Sequence, residues 1–217
     1  MSERVPHPPL AGLYGITPDG LATPALLAAV AAVLAGGCRW LQYRNKTAAP
    51  ALRRRQAESL AALCRARGAG LIINDDAELA LAVGAAGVHL GREDGGLAAA
   101  RRLLGPGAVI GASCYQDFER ARQAVAEGAS YVAFGAVYPS PTKPGAARAS
   151  LDLFERARRE LPVPACAIGG ITLDNVAPVI RAGARLVAVI SDLFHAGTPA
   201  AMTARAAAHQ RLFEDLS

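Results

Sequence analysis

Residues 16–24 read ITPDGLATP, the turn that leaves the first apolar run of the chain. A doubly wound nucleotide-binding sheet carries a glycine-rich phosphate fingerprint, G-x-G-x-x-G, in that turn. Here one glycine, Gly20, follows Pro18 and Asp19, and Thr23-Pro24 supplies an N-cap and a first-turn proline for a helix. Without the fingerprint, the open sheet gives way to the other architecture that alternates strands and helices, the closed (β/α)8 barrel.

Working outward from that turn, apolar runs recur along the chain: LYGIT (13–17), WLQYR (40–44), GLIIN (70–74), GVHLG (87–91), AVIGAS (108–113), YVAFGAV (131–137), ACAIGG (165–170) and LVAVIS (186–191). Most are almost continuously apolar, the pattern of strands covered on both faces of a parallel sheet. Helical segments with clear punctuation lie between them. The first stops at Gly36-Gly37. Asp117 precedes Phe118, Ala121 and Val125 at helical spacing, and Gly128 ends that run. Thr172 precedes Leu173, Val176 and Ile180, and Gly183 ends it; Pro178 falls inside, so a distortion or a shifted start is expected. Gly37, Gly68, Gly84, Gly128 and Gly183 each close a helix before the next strand. The expectation is an α/β chain forming one (β/α)8 TIM barrel over residues 1–217, with residues 1–12 as an N-terminal extension.

A chain with 52% apolar and 19% charged residues builds a substantial core. The formal charge of +5 and the pI near 9.3 raise the question of nucleic acid. However, the arginines are scattered among acids, as Arg53, Arg54 and Arg55 beside Glu58, with no basic tail and no interleaved aromatics. Solvated helix faces and small phosphorylated ligands suit that pattern better than nucleic acid. Cys38, Cys64, Cys114 and Cys166 show no paired metal spacing and read as buried thiols of a reducing compartment. The opening MSERVPHPPLAGLYG has no apolar signal core, and the most apolar segment, around residues 24–35, is too short for a bilayer. A cytoplasmic protein away from the membrane is expected, and an assembly of identical chains stays open.

In a barrel the chemistry sits at the C-terminal ends of the strands. In WLQYRNKT (40–47) strand alternation points Gln42, Arg44 and Lys46 one way and Leu41, Tyr43 and Asn45 the other. The next strand ends in Asn74, Asp75 and Asp76, the fourth runs through His89 to Arg92, Glu93 and Asp94, and the fifth reaches Ser113. After the sixth come Ser140, Thr142 and Lys143; the last two end in Gly169-Gly170 and Ser191-Asp192. Such a mouth combines cations, neutral donors and carboxylates, a mixture suited to a polyphosphate with a divalent ion. The glycine pair and Ser191 suit a second, smaller anion site. The loop YPSPTKPGAARAS (138–150) is a lid candidate. His89 reads as a lining residue rather than a catalytic one, His7 and His209 lie near the termini, and His195 lies in a surface loop. With no nucleophile–base constellation to argue, a mechanism that needs no general base fits best.

Taken together, LQYRNK, INDD, GVHLGRED, GAS, FGAVYPSPTK, AIGGIT and VIS resemble, in order and spacing, the thiamine-phosphate synthase family from the first strand to the eighth. The resemblance implies a (β/α)8 transferase that joins a hydroxymethylpyrimidine diphosphate to a thiazole phosphate with Mg²⁺, releasing pyrophosphate. It implies that Asp75 and Asp94 hold the metal. It gives Gln42, Arg44, Lys46, Asn74, Ser113 and Lys143, with Tyr43 and Asn45 between the first three, to the pyrimidine diphosphate. Ser140, Pro141, Thr142, Gly170, Ile190 and Ser191 go to the thiazole phosphate, and Arg44, Lys46, Ser113 and Lys143 to catalysis. Ser140 stands where the family often has threonine, a change that keeps the hydroxyl. A thiazole tautomerase of the same fold and a non-catalytic phosphometabolite-binding regulator are the rival readings.

Overall fold

A computed structural model describes residues 7–139 and 148–216 of the chain. Each apolar run contains a strand: β1 (Gly12–Ile16), β2 (Trp40–Tyr43), β3 (Gly70–Asn74), β4 (Gly87–Leu90), β5 (Val109–Tyr115), β6 (Tyr131–Phe134), β7 (Ala165–Ile168) and β8 (Leu186–Val189). All are parallel, each pairs with the next, and β1 closes on β8 through Gly12↔Leu186 and Leu13↔Val187. The helices are α1 (Thr23–Ala35), α2 (Pro50–Ala66), α3 (Ala77–Ala82), α4 (Leu97–Leu104), α5 (Phe118–Ala126), α6 (Leu151–Glu160), α7 (Val176–Arg181), α8 (Ser191–Phe194) and α9 (Pro199–Leu216). The expected (β/α)8 barrel is what forms.

The continuous apolarity of the strands has two destinations. Tyr14, Ile16, Trp40, Ile72, Val109, Tyr131, Cys166, Leu186 and Ala188 pack together inside the barrel. Their strand neighbours Leu13, Leu41, Tyr43, Ile73, Val88, Ile110 and Val187 pack outward against the helices. At the lower end Gly70 is required, since a Cβ there would run into the Trp40 indole. The same indole donates to the Pro9 carbonyl (2.8 Å), and Leu10 packs on the interior cluster. Residues 9 and 10 of the expected extension therefore cover the end of the barrel away from the strands' C-termini.

Helix punctuation follows local chemistry with one correction. Thr23 is not the N-cap of α1: Ala22 occupies that position without a side-chain bond, and the Thr23 hydroxyl accepts instead from Gln56 Nε2 (3.3 Å). Asp117 does cap α5, accepting from the Arg120 N–H (3.0 Å). Helix α7 starts late, at Val176 after Asn175, which puts Pro178 in the first turn where a missing N–H costs no helical bond. On the surface the scattered arginines meet acids one turn away, Arg54–Glu58 at 2.9 Å and Arg156–Glu160 at 3.1 Å. All four cysteines are buried and free. No helix among the described residues is long and apolar enough to cross a membrane.

Candidate active site

The wall formed by β1 and β2 is strapped together by residues absent from the expected set. Gln42 points into the barrel, 3% exposed, and its Nε2 donates to the Tyr14 hydroxyl at 3.0 Å. Just above it, the Thr17 hydroxyl accepts from the Arg44 N–H and donates to the Arg44 carbonyl, both at 2.9 Å. Asp19 then takes both cationic residues: one carboxylate oxygen meets the Arg44 guanidinium at 2.6 Å, and the other accepts from the Lys46 N–H at 2.9 Å. Thr17 and Asp19 both belong to ITPDGLATP, and the signal for them was a polar pair directly after a strand that must neighbour β2. Tyr43 and Asn45 border the same cavity as Lys46 and are anchored from α2. The Tyr43 hydroxyl (2.8 Å) and Asn45 Nδ2 (3.1 Å) both donate to Gln56 Oε1, which turns these side chains toward α2.

Beyond β3, Asp75 sits in the left-handed region at φ 63°, held by its N–H donating to the His89 carbonyl at 2.8 Å. An aspartate tolerates this conformation at some cost, and such strain in a described structure points to a functional position. Burial raises the Asp75 pKa and so does the neighbouring Asp94 carboxyl, while Lys46, at 3.0 Å, opposes them. Asp94 is steadied by accepting from the Gly91 N–H at 2.8 Å. Lys46, Asn74, Asp75 and Asp94 border one cavity of about 450 Å³, whose apolar side includes Leu90 and Leu103. Asp76 caps α3 through the Leu79 N–H (2.8 Å) and pairs with Arg53 (3.3 Å), and both residues border the same cavity. Glu93 is exposed. No cluster of three or more His, Cys, Asp or Glu side chains suited to a metal occurs among the described residues. Two adjacent carboxylates whose negative charge is only partly relieved fit Mg²⁺, which keeps most of its waters.

On the next strand, β5, the Ser113 carbonyl accepts from Arg120 Nε at 2.8 Å, and its hydroxyl lies 2.9 Å from His89 Nε2. His89 lines the barrel, as expected, and burial lowers its pKa to about 4, so the ring is neutral near pH 7. Gly169 and Gly170 both have positive φ, 108° and 62°, and Asn175 ties their turn together: Nδ2 donates to the Gly170 carbonyl (2.9 Å) and Oδ1 accepts from the Thr172 N–H (2.8 Å). Ile190 and Ser191 lie two and three residues past Ala188, which pairs with Ile168 of β7, so the two strand ends adjoin. Asp192 is drawn away to α9, by Arg205 at 3.3 Å and His209 at 2.8 Å. Ser140, Pro141, Thr142 and Lys143 lie outside the described residues, as does most of the lid candidate.

One mouth thus gathers an amide, two cations, a carboxylate pair and a hydroxyl from β2 to β5, beside a glycine turn from β7. Residues 13–193 match the thiamine monophosphate synthase family. The chain is 58% identical to a thiamine-phosphate synthase of Aromatoleum aromaticum, over 97% of this chain and 100% of that protein. It is 54% identical to one of Azoarcus sp., over 98% and 100%. Among solved structures, the thiamine phosphate pyrophosphorylase from Pyrococcus furiosus superposes with a TM-score of 0.83 at 30% identity, covering 95% of this chain and 97% of that one. With that match spanning β1 to α8 on the same barrel, the chain belongs to the thiamine monophosphate synthase family.

Proposed function

We propose that the chain joins 4-amino-2-methyl-5-(diphosphooxymethyl)pyrimidine to a thiazole phosphate, giving thiamine phosphate and pyrophosphate. The observation that carries this reading is the company Arg44 and Lys46 keep. Lys46, the Asn74 amide and the Asp75–Asp94 carboxylate pair share one cavity wall, and Arg44, two residues before Lys46 at the same strand end, is held by Asp19. His89 of the barrel interior is neutral and engaged on both ring nitrogens. Such a site favours departure of an anion and offers no base. The reaction needs none: the thiazole ring nitrogen forms the new C–N bond with its lone pair. The methylene C–O bond breaks with its electrons leaving on pyrophosphate, and no proton moves.

Arg44 and Lys46 stabilise the charge that builds on the leaving diphosphate, and Asn74 and Ser113 supply neutral hydrogen bonds beside it. Gln42 faces the aminopyrimidine ring, which delocalises the positive charge left on the methylene carbon. The Gly170 turn with Ile190 and Ser191 holds the thiazole phosphate and so orients the nucleophile. Lys143, Ser140, Pro141 and Thr142 enter this proposal on sequence alone. Asp75 and Asp94 would hold Mg²⁺, which when bound supplies charge neutralisation at the diphosphate oxygens. The protein acts on phosphorylated small molecules, and a cytoplasmic setting accords with such substrates. Purified protein mixed with both substrates and Mg²⁺ is expected to release pyrophosphate and thiamine phosphate in equal amounts. Asp75→Ala is expected to slow this by about 10²-fold or more, the scale of a lost electrostatic contact to a transition state. No product from the unaltered protein refutes the reading.

A further inference from the structure

Five side chains from five strands form one unbroken hydrogen-bonded chain across the barrel. Gln42 Nε2 lies 3.0 Å from the Tyr14 hydroxyl, which lies 2.9 Å from the Tyr131 hydroxyl. Tyr131 in turn lies 2.9 Å from His89 Nδ1, and His89 Nε2 lies 2.9 Å from the Ser113 hydroxyl. Gln42, Tyr14, Tyr131 and His89 are all buried, and the Tyr131 ring stacks on His89. A Cβ at Gly111 would run into both Tyr131 and His89 Nδ1, so the backbone of β5 is shaped around the link. The two ends, Gln42 and Ser113, belong to the pyrimidine subsite proposed above. Tyr14 and Tyr131 have no part in that proposal, and His89 enters it only as a group that is not a base.

Such a chain has a direction. In a neutral imidazole one nitrogen donates and the other accepts, and His89 is buried with an uncharged hydroxyl, not a carboxylate, at each ring nitrogen. With the Gln42 amide nitrogen donating to Tyr14 and each hydroxyl proton used within the chain, the Tyr14 O–H points to Tyr131 and the Tyr131 O–H to Nδ1. Nε2–H then donates to Ser113, whose own O–H is left for the mouth. The reverse direction needs the Gln42 amide flipped, the proton on Nδ1 and the serine proton turned inward to Nε2. Orientation of the amide and donor capacity of the serine are therefore one variable, set through Tyr14, Tyr131 and His89.

We infer that this chain fixes the hydrogen-bond polarity of the pyrimidine subsite, so that it accepts a 4-aminopyrimidine and rejects the 4-oxo analogue. Held this way, Gln42 offers its carbonyl oxygen to an amino group and its second N–H to the adjacent ring nitrogen, the pairing by which glutamine reads adenine. The oxo analogue presents a carbonyl and a ring N–H, the opposite pattern. Tyr14, Tyr131 and His89 act as positioning residues. The inference rests on the function proposed above.

Two measurements test it. The first is ¹⁵N NMR of the labelled full chain without ligand, the His89 signals assigned by their loss in His89→Gln. A protonated Nε2 and a bare Nδ1 are expected; the opposite tautomer overturns the inference. The second compares kcat/KM for the 4-amino and 4-oxo pyrimidine diphosphates. Tyr131→Phe keeps the ring packing and leaves the Tyr14 hydroxyl beside Gln42, yet cuts the chain. Its amino-to-oxo ratio is expected to fall at least about tenfold, part of the several orders of magnitude by which a dedicated hydrogen-bonding site rejects a mismatched group. A ratio that is unchanged, or two rates that fall equally, overturns the inference. Tyr14→Phe gives the same comparison should Tyr131→Phe fail to fold by circular dichroism. If the unaltered protein turns over neither pyrimidine, the functional reading fails, and the His89 tautomer still decides the direction of the chain.

Discussion

Asp19 pits two effects against each other. Its carboxylate holds Arg44 at 2.6 Å and the Lys46 N–H at 2.9 Å, and it also sets a negative charge beside a site proposed for a diphosphate. Asp19→Ala removes both. Loss of the charge helps binding: across roughly 8 Å, two unit charges interact by about 0.5 kcal/mol in water and about 2 kcal/mol at an effective dielectric of 20. The Asp19 and Arg44 side chains are 31% and 29% exposed, so solvent and salt bring the gain toward the lower figure. That is a few-fold at most.

Loss of the strap acts the other way. Residues 44–46 lie beyond the last pair of the β2 ladder, which ends at Tyr43, so Thr17 would remain as their chief tie to β1. A misplacement of about 1 Å in a charge-stabilising group costs on the order of 10²-fold. Placement outweighs the charge, and kcat/KM for the pyrimidine diphosphate is expected to fall about 10- to 50-fold in Asp19→Ala. Asp19→Asn, which keeps an acceptor for the Lys46 N–H while dropping the charge, is expected to stay within several-fold of the unaltered protein. The assay is steady-state pyrophosphate release with each substrate varied in turn. Asp19→Ala at or above the unaltered rate would refute the reasoning, because the charge term would then have won.

Two further outcomes follow from Asn175 and His89. Asn175→Ala frees the Gly169-Gly170 turn, so KM for the thiazole phosphate is expected to rise about tenfold while KM for the pyrimidine diphosphate stays put, on the scale of one or two neutral hydrogen bonds; equal rises for both substrates would remove the turn from the thiazole site. For His89, burial lowers the pKa from an ordinary 6.5 to about 4, so the folded state binds a proton less readily than the unfolded one. The associated stability is present above about pH 6.5 and is lost as pH falls toward 4, by about 3 kcal/mol in all. Urea unfolding across that window, compared with His89→Gln, should show the difference between the two proteins changing with pH; a constant difference contradicts a neutral buried imidazole.

What could be read in the sequence, and what could not, divides along the distance between partners. Strand runs such as GLIIN were legible because burial on both faces leaves few polar residues to confuse the period. The alternation of Gln42 and Arg44 was legible for the same local reason. Capping at Thr23 was not, since the hydroxyl is claimed by Gln56, far along the chain. Tyr43 and Asn45 entered the expected set by adjacency, and their shared bond to Gln56 within α2 was not legible because that partner lies 13 and 11 residues further on. Tyr14 and Tyr131 stand 117 residues apart and read as ordinary strand aromatics in LYGIT and YVAFGAV. Barrel closure sets their hydroxyls against each other, a consequence of register that no local window contains.

ITPDGLATP shows the same division within nine residues. Its lack of a phosphate fingerprint was enough to choose the barrel, because that argument concerns the backbone of one turn. Choosing the barrel then has a consequence that the turn alone does not state. In a closed parallel barrel β1 must neighbour β2, so any polar residue just past β1 lies beside whatever follows β2. Thr17 and Asp19 meet Arg44 and Lys46 on that account. A cation placed for a leaving diphosphate needs a partner that holds it in the free protein without neutralising it in the complex. A partly exposed carboxylate just past the adjacent strand meets both demands, since screening grows with distance and so weakens its effect on a bound diphosphate more than its short contact to Arg44. The stretch that excludes one phosphate-binding fold therefore supplies a support for the phosphate site proposed in the other.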